Sequence, residues 1–116
     1  MKFTNSKALA ALNTLGRLQE SGKLGYVIAK NRRKISNEIQ EYIQIHDEIT
    51  RQFGEVNDRG ELVIPFEKWE DYCNALDEYD MECDIDVLTV DEELFTSGHL
   101  TSQEMFALDW MVLDGT

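Results

Sequence analysis

The sequence predicts a mainly α (α+β) fold: a long antiparallel helical hairpin, a short β element and a C-terminal helix. Three observations carry this prediction. A stripe of Ile28, Ile35, Ile39, Tyr42, Ile43, His46, Ile49 and Phe53 steps by fours and threes from Ile35 onward, which holds one face of an α-helix. Glu82 to Asp86 alternates, with Cys83, Ile85 and Val87 on one side and Glu82, Asp84 and Asp86 on the other, the period of a strand. Thr101-Ser102-Gln103-Glu104 has the form of a capping box, flanked by Leu100 and Met105 as a hydrophobic staple.

Each element follows in order. Asn5 or Ser6 is placed to cap a first helix over about residues 5–21, running through Leu9, Leu12, Leu15 and Leu18 and ending at Ser21-Gly22. Gly16 weakens its interior by about 1 kcal/mol relative to alanine and marks a close approach or bend. The short link that follows makes the first two helices a hairpin. Neither glycine nor proline interrupts Tyr26 to Phe53, and Gly54 sits at the stop, so the long helix spans about 24–53. Thirty residues make a rod of about 45 Å, whereas a compact chain of this size has a radius of gyration of about 13 Å. The rod must protrude or meet a second copy. Ile35, Ile39, Tyr42, His46, Ile49 and Phe53 are therefore the expected oligomer interface, and a dimer is the expected assembly. Residues 54–64 read as turn and short strand. Pro65 opens a helix over about 65–80, whose Phe66, Trp69, Tyr72, Cys73, Leu76 and Tyr79 form an aromatic lid over the hairpin. The strand at about 82–90 takes Leu62 to Ile64, or a second copy, as its neighbour. The last helix spans about 102–113, with more apolar surface than one small core absorbs.

The 116 residues make one domain, 42% hydrophobic. No apolar run is long enough to span a membrane and no signal peptide opens the chain. Cys73 and Cys83 lack metal spacing and read as reduced thiols of a cytoplasmic protein. The formal charge of −12 is divided unevenly. Residues 1–54 carry nine Lys or Arg and five Asp or Glu, a net of +4, whereas residues 55–116 carry two and eighteen, a net of −16. Glu82, Asp84, Asp86, Asp91, Glu92 and Glu93 form an acidic run whose mutual repulsion calls for an outside compensator. It fails as a calcium loop, lacking the third ligand, the central glycine and the closing glutamate. No metal or cofactor site is expected, and the run is read as a surface for a protein partner.

Lys30, Arg32, Arg33 and Lys34 make a basic patch on the long helix, able to hold phosphates. Arg32 falls on the stripe between Ile28 and Ile35, so its guanidinium must reach out or pair. Direct nucleic-acid binding is disfavoured, because no aromatic residues interleave the patch and the net charge repels a polyanion. An enzyme is disfavoured too: the chain has two His, no nucleophile elbow, no Gly-rich phosphate loop and no metal-spaced cluster.

Lys2-Phe3-Thr4-Asn5, Ala11-Leu12-Asn13-Thr14-Leu15 and above all Gly25-Tyr26-Val27-Ile28-Ala29-Lys30-Asn31 resemble a group of small phage-encoded proteins of uncharacterised function. Those proteins have a helical hairpin, an acidic linker, a strand and a Thr/Ser-x-x-Glu/Gln-capped last helix. The resemblance implies a viral accessory role in the host cytoplasm and offers no catalytic residues. The expected function is a non-enzymatic inhibitor of a host factor, of the anti-CRISPR-like anti-defence kind, offering acidic residues to a basic nucleic-acid-binding enzyme. The alternatives are a sponge for a nucleotide second messenger, using Lys30, Arg32 and Arg33 on phosphates and Trp69 or Tyr72 on the base, or an assembly protein of the virion.

Overall fold

A computed structural model describes residues 1–113, and Asp114 to Thr116 lie outside the described residues. The fold is mainly α with two small antiparallel ladders. In chain order it runs β1 (Lys2–Thr4), α1 (Asn5–Gly16), α2 (Gly22–Glu38), α3 (Gln40–Phe53), β2 (Glu55–Val56), β3 (Leu62–Val63), α4 (Trp69–Asp77), β4 (Glu82–Asp84), α5 (Glu92–Thr96) and α6 (Ser102–Ala107). A 3-10 turn precedes α4 at Phe66–Lys68 and another follows α6 at Asp109–Met111.

The first correction to the sequence reading is the rod. Ile39 leaves helical geometry (φ −103°, ψ 21°) and divides the stretch 24–53 into α2 and α3. No proline or glycine marks the break. Ser36 and Asn37 are weak helix formers, and tertiary burial decides the outcome, with α2 against α1 and α3 against α4. The stripe is thereby consumed within one chain: Ile35, Ile39, Tyr42 and Ile49 are buried, and His46 and Phe53 half-buried. These six residues do not form the free face expected of an oligomer interface. The molecule is nonetheless elongated, 46 × 31 × 21 Å with a radius of gyration of 16.4 Å, so its two ends are well separated.

The strand pairing differs as well. β4 pairs antiparallel with β1, Lys2 opposite Asp84 and Thr4 opposite Glu82, whereas Leu62–Val63 turns back on Glu55–Val56. Lys2 to Thr4 carries no strand signal of its own, three residues being too few to show a period of two. The alternation itself fits the burial: Ile85 is buried, Cys83 and Val87 are half-buried, and Glu82, Asp84 and Asp86 are exposed. The strand ends at Asp84 instead of running to Val90, although Val90 still bridges to Val112. Thr4, not Asn5 or Ser6, caps α1, accepting the Lys7 N–H at 3.2 Å. Ser6 bonds instead to Asp80, at 2.7 Å through both its N–H and its hydroxyl. The capping box is present as read, with Thr101 and Glu104 satisfying each other's backbone N–H, but the helix it starts stops at Ala107. Leu108 and Met111 beyond it are fully buried.

One polar side chain sits in the middle of this core. Asn31 of α2 is 0% exposed. Its Nδ2 donates to the Leu88 carbonyl at 2.9 Å and its Oδ1 accepts the Leu88 N–H at 2.7 Å, satisfying both backbone groups of a segment with no strand partner there. Asn31 thus holds the stripe position that the sequence reading assigned to Arg32, which is exposed.

Asn31→Ala strands both Leu88 groups, and at about 1–3 kcal/mol per unsatisfied group the expected loss is about 2–6 kcal/mol in chemical denaturation. Asn31→Asp keeps the acceptor but turns a second oxygen towards the Leu88 carbonyl, so its folded pKa rises above the ordinary carboxylate value. Its stability relative to the parent should be intact at low pH and fall as pH rises through that raised value.

Candidate functional site

Gly16 has no side chain, and a Cβ built there would come no closer than 3.9 Å to the Arg32 guanidinium. Arg32 therefore lies across the last turn of α1. The next residue, Arg17, ends that helix: its N–H returns to the Thr14 carbonyl at 3.1 Å and its Nε donates to the Asn13 carbonyl at 3.2 Å. Arg33 follows on α2, and the three arginines share a groove of about 870 Å3 between the two helices. Asn13 and Ser36 add polar groups, and Leu12 and Ala29 give it an apolar floor.

The acidic half of the chain, over its described residues, forms no ion pair with this arginine cluster. Among the described residues the ion pairs join the N-terminal ammonium to Asp84, Lys2 to Glu82, Lys68 to Glu55 and His99 to Glu20. None involves an arginine. Of the four residues assigned to phosphate binding, Arg32 and Arg33 line the groove. Lys30 lies with its Nζ 5.8 Å from the Tyr26 ring centroid, and Lys34 is half-buried outside the groove. Arg17 was missed, because its partners lie across a helix junction and not along one face.

Trp69 and Tyr72, expected to stack a base beside those cations, are elsewhere. Tyr72 is buried against α3, its hydroxyl 2.8 Å from the Thr50 hydroxyl and its ring 6.1 Å from that of Phe53, and Trp69 packs on Tyr72 at 5.6 Å. No aromatic residue lines the arginine groove.

The acidic run is also rearranged. β1 supplies the missing compensator, since the N-terminal ammonium meets Asp84 at 2.9 Å and Lys2 approaches Glu82 at 3.9 Å. The ammonium's hydrogen bond and charge, with a smaller contribution from the Lys2 charge, hold the Asp84 carboxyl below its ordinary pKa. Asp91 caps α5, accepting the Leu94 N–H at 2.7 Å, and Glu92 and Glu93 occupy the first turn, where the helix dipole favours them. Asp86, Glu92 and Glu93 remain exposed.

A third surface lies at the far end of α3. Phe66 is 93% exposed and Trp69 54%, with Val56, Leu62 and Val63 of the hairpin exposed nearby. The Lys68–Glu55 ion pair at 3.2 Å ties the hairpin to the start of α4. The expected aromatic lid is thus largely open, since among its aromatic residues only Tyr72 is buried. Around these apolar side chains, residues 55–71 carry six carboxylates against two cations.

Burial, with Glu38, Asp84 and Glu82 nearby, pushes the Cys83 thiol up in pKa, away from nucleophile chemistry. Among the described residues no group of three or more His, Cys, Asp or Glu is placed to hold a metal, and no helix is long and apolar enough to cross a membrane. Comparison with protein-family models, curated proteins and solved structures finds no match.

The ladder makes its own prediction. An NMR pH titration should place the Asp84 carboxyl below the usual aspartate range, and acetylating the N-terminus should return it towards that range. Because the folded pKa is the lower one, the contact stabilises the fold above the ordinary aspartate pKa and is lost as pH falls through the depressed value. The pair is exposed, so salt should weaken it.

Proposed function

We propose that the chain is a non-catalytic viral accessory protein that binds a basic, nucleic-acid-binding host enzyme and inhibits it. The observation that carries this reading is the end built from Val56, Leu62, Val63, Phe66 and Trp69, apolar at its centre and acidic around it. Exposed phenylalanine and tryptophan lose affinity-giving burial while they face water, at about 25 cal/mol per Å2. Apolar anchors inside a charged rim are the usual anatomy of a protein–protein interface, and aromatic anchors dominate its energy. The carboxylates select a cationic partner and speed its approach. A surface of this kind would cover the Lys- and Arg-lined groove in which such an enzyme holds phosphates, with Asp86, Glu92 and Glu93 as a second acidic face. The viral assignment rests on the resemblance carried by Gly25 to Asn31.

A pull-down from host lysate should return a basic nucleic-acid-binding protein whose recovery falls as salt rises. Phe66→Ala with Trp69→Ala should weaken that complex at least about tenfold, roughly 1.4 kcal/mol or more. Phe66 buries almost nothing, so Phe66→Ala alone should change stability by less than about 0.5 kcal/mol. Equal recovery by the double variant, or recovery of virion structural proteins instead, would refute the proposal.

A further inference from the structure

We propose that the groove between α1 and α2 binds a small organic phosphate, gripped through a mono- or diphosphate group by Arg17, Arg32 and Arg33. This site shares no residue with the aromatic end, so it can fail or succeed independently of the function proposed above. Three arginines line one concavity in a chain of net charge −12, and no carboxylate among the described residues forms an ion pair with them. Arginine pairs left unpaired in a cleft repel one another unless an anion joins them, and the planar fork matches phosphate oxygens two at a time. Arg17 is already oriented, because its Nε is spent on the Asn13 carbonyl while its terminal nitrogens remain available.

The volume, about 870 Å3, lies in the range of small-molecule sites, about 300–1,000 Å3, and far exceeds a bare phosphate. Leu12 and Ala29 offer an apolar floor to an organic body, and Ser36 a hydroxyl. Gly16 lines the concavity, and a Cβ there would make only ordinary contact with the Arg32 guanidinium, at 3.9 Å, so alanine fits at this position and only a longer side chain occupies the groove. The absence of aromatic lining removes the stacking platforms that single-stranded nucleic acid uses. A polyanion longer than the groove would also meet the acidic remainder of the chain, whereas a small ligand would not.

The test uses the full chain, with calorimetry and NMR titration against inorganic pyrophosphate, orthophosphate, ATP and a single-stranded oligonucleotide. Pyrophosphate and ATP should bind one per chain, more tightly than orthophosphate, with shifts centred on Arg17, Arg32 and Arg33. Arg32→Gln with Arg33→Gln should weaken binding at least tenfold. Gly16→Leu, which leaves every charge in place and fills the groove, should do the same. Circular dichroism and thermal midpoints establish that each variant is folded, and the shift map of the parent decides the matter should either variant misfold. The proposal is overturned by the absence of saturable pyrophosphate or ATP binding, by unchanged affinity in both folded variants, or by affinity that grows with oligonucleotide length.

Discussion

The bidentate contact between Asn31 and the Leu88 backbone is the constraint on which the rest of the molecule depends. A buried amide in an apolar core is tolerated only when its donor and acceptor are both used, so it fixes the rotation of α2 about its own axis. With Asn31 inward, Ile28 and Ile35 are inward on the same face, and Lys30, Arg32 and Arg33 are carried to the flanks. The same contact holds the segment after β4 against the hairpin. That segment then meets the chain's far end, where the Val90 N–H bonds to the Met111 carbonyl at 2.8 Å and the Leu113 N–H to the Val90 carbonyl at 2.7 Å. Asn31 therefore adds a buried, hydrogen-bonded link between the two halves of the sequence to the exposed ion pairs that the N-terminal ammonium and Lys2 make with Asp84 and Glu82.

The charges remain largely segregated even so. The acidic carboxylates nearest the core are satisfied locally, Asp91 by a helix start and Asp80 by Ser6. Asp84 and Glu82 are met by β1. Glu20 accepts the His99 N–H across the loop before α6, and close packing there leaves no room for a side chain at Gly98, whose Cβ would come within 2.6 Å of Leu24. Among the described residues no carboxylate lines the α1–α2 groove; Glu104 shares a different concavity with Arg17 and accepts the Thr101 N–H. The basic patch is left open by geometry, in spite of an excess of negative charge overall.

Much of the fold was legible where a local rule acts over a few residues. The capping box at Thr101, the alternation from Cys83 to Asp86 and the helical character of α1 to α3 follow from hydrogen bonding and periodicity within single segments. The missed features are decided between segments. Ile39 breaks a helix whose periodicity continues across the break, because α2 and α3 bury their stripes against different partners. Lys2 to Thr4 becomes a strand only because β4 needs one. Asn31 reads as one more polar residue in a basic run, since nothing local reveals that Leu88 will lie against it. The site followed the same division: Arg32 and Arg33 were visible as a patch, whereas Arg17 joins them only once α1 and α2 are packed together.

The two proposed surfaces ask opposite things of the same charge distribution. An acidic rim gains from the long-range field of the whole chain, which draws a cationic protein in from a distance. An arginine groove must work against that field. At ordinary ionic strength the Debye length is about 8 Å, and carboxylates on the far side of a 46 × 31 × 21 Å molecule contribute little at the groove, whose own guanidiniums dominate. The groove can therefore hold a small anion although the molecule as a whole repels extended ones. Reach, set by screening and by the elongated shape, is what would allow one chain to serve both proposed surfaces, acidic towards large partners and basic towards small ligands.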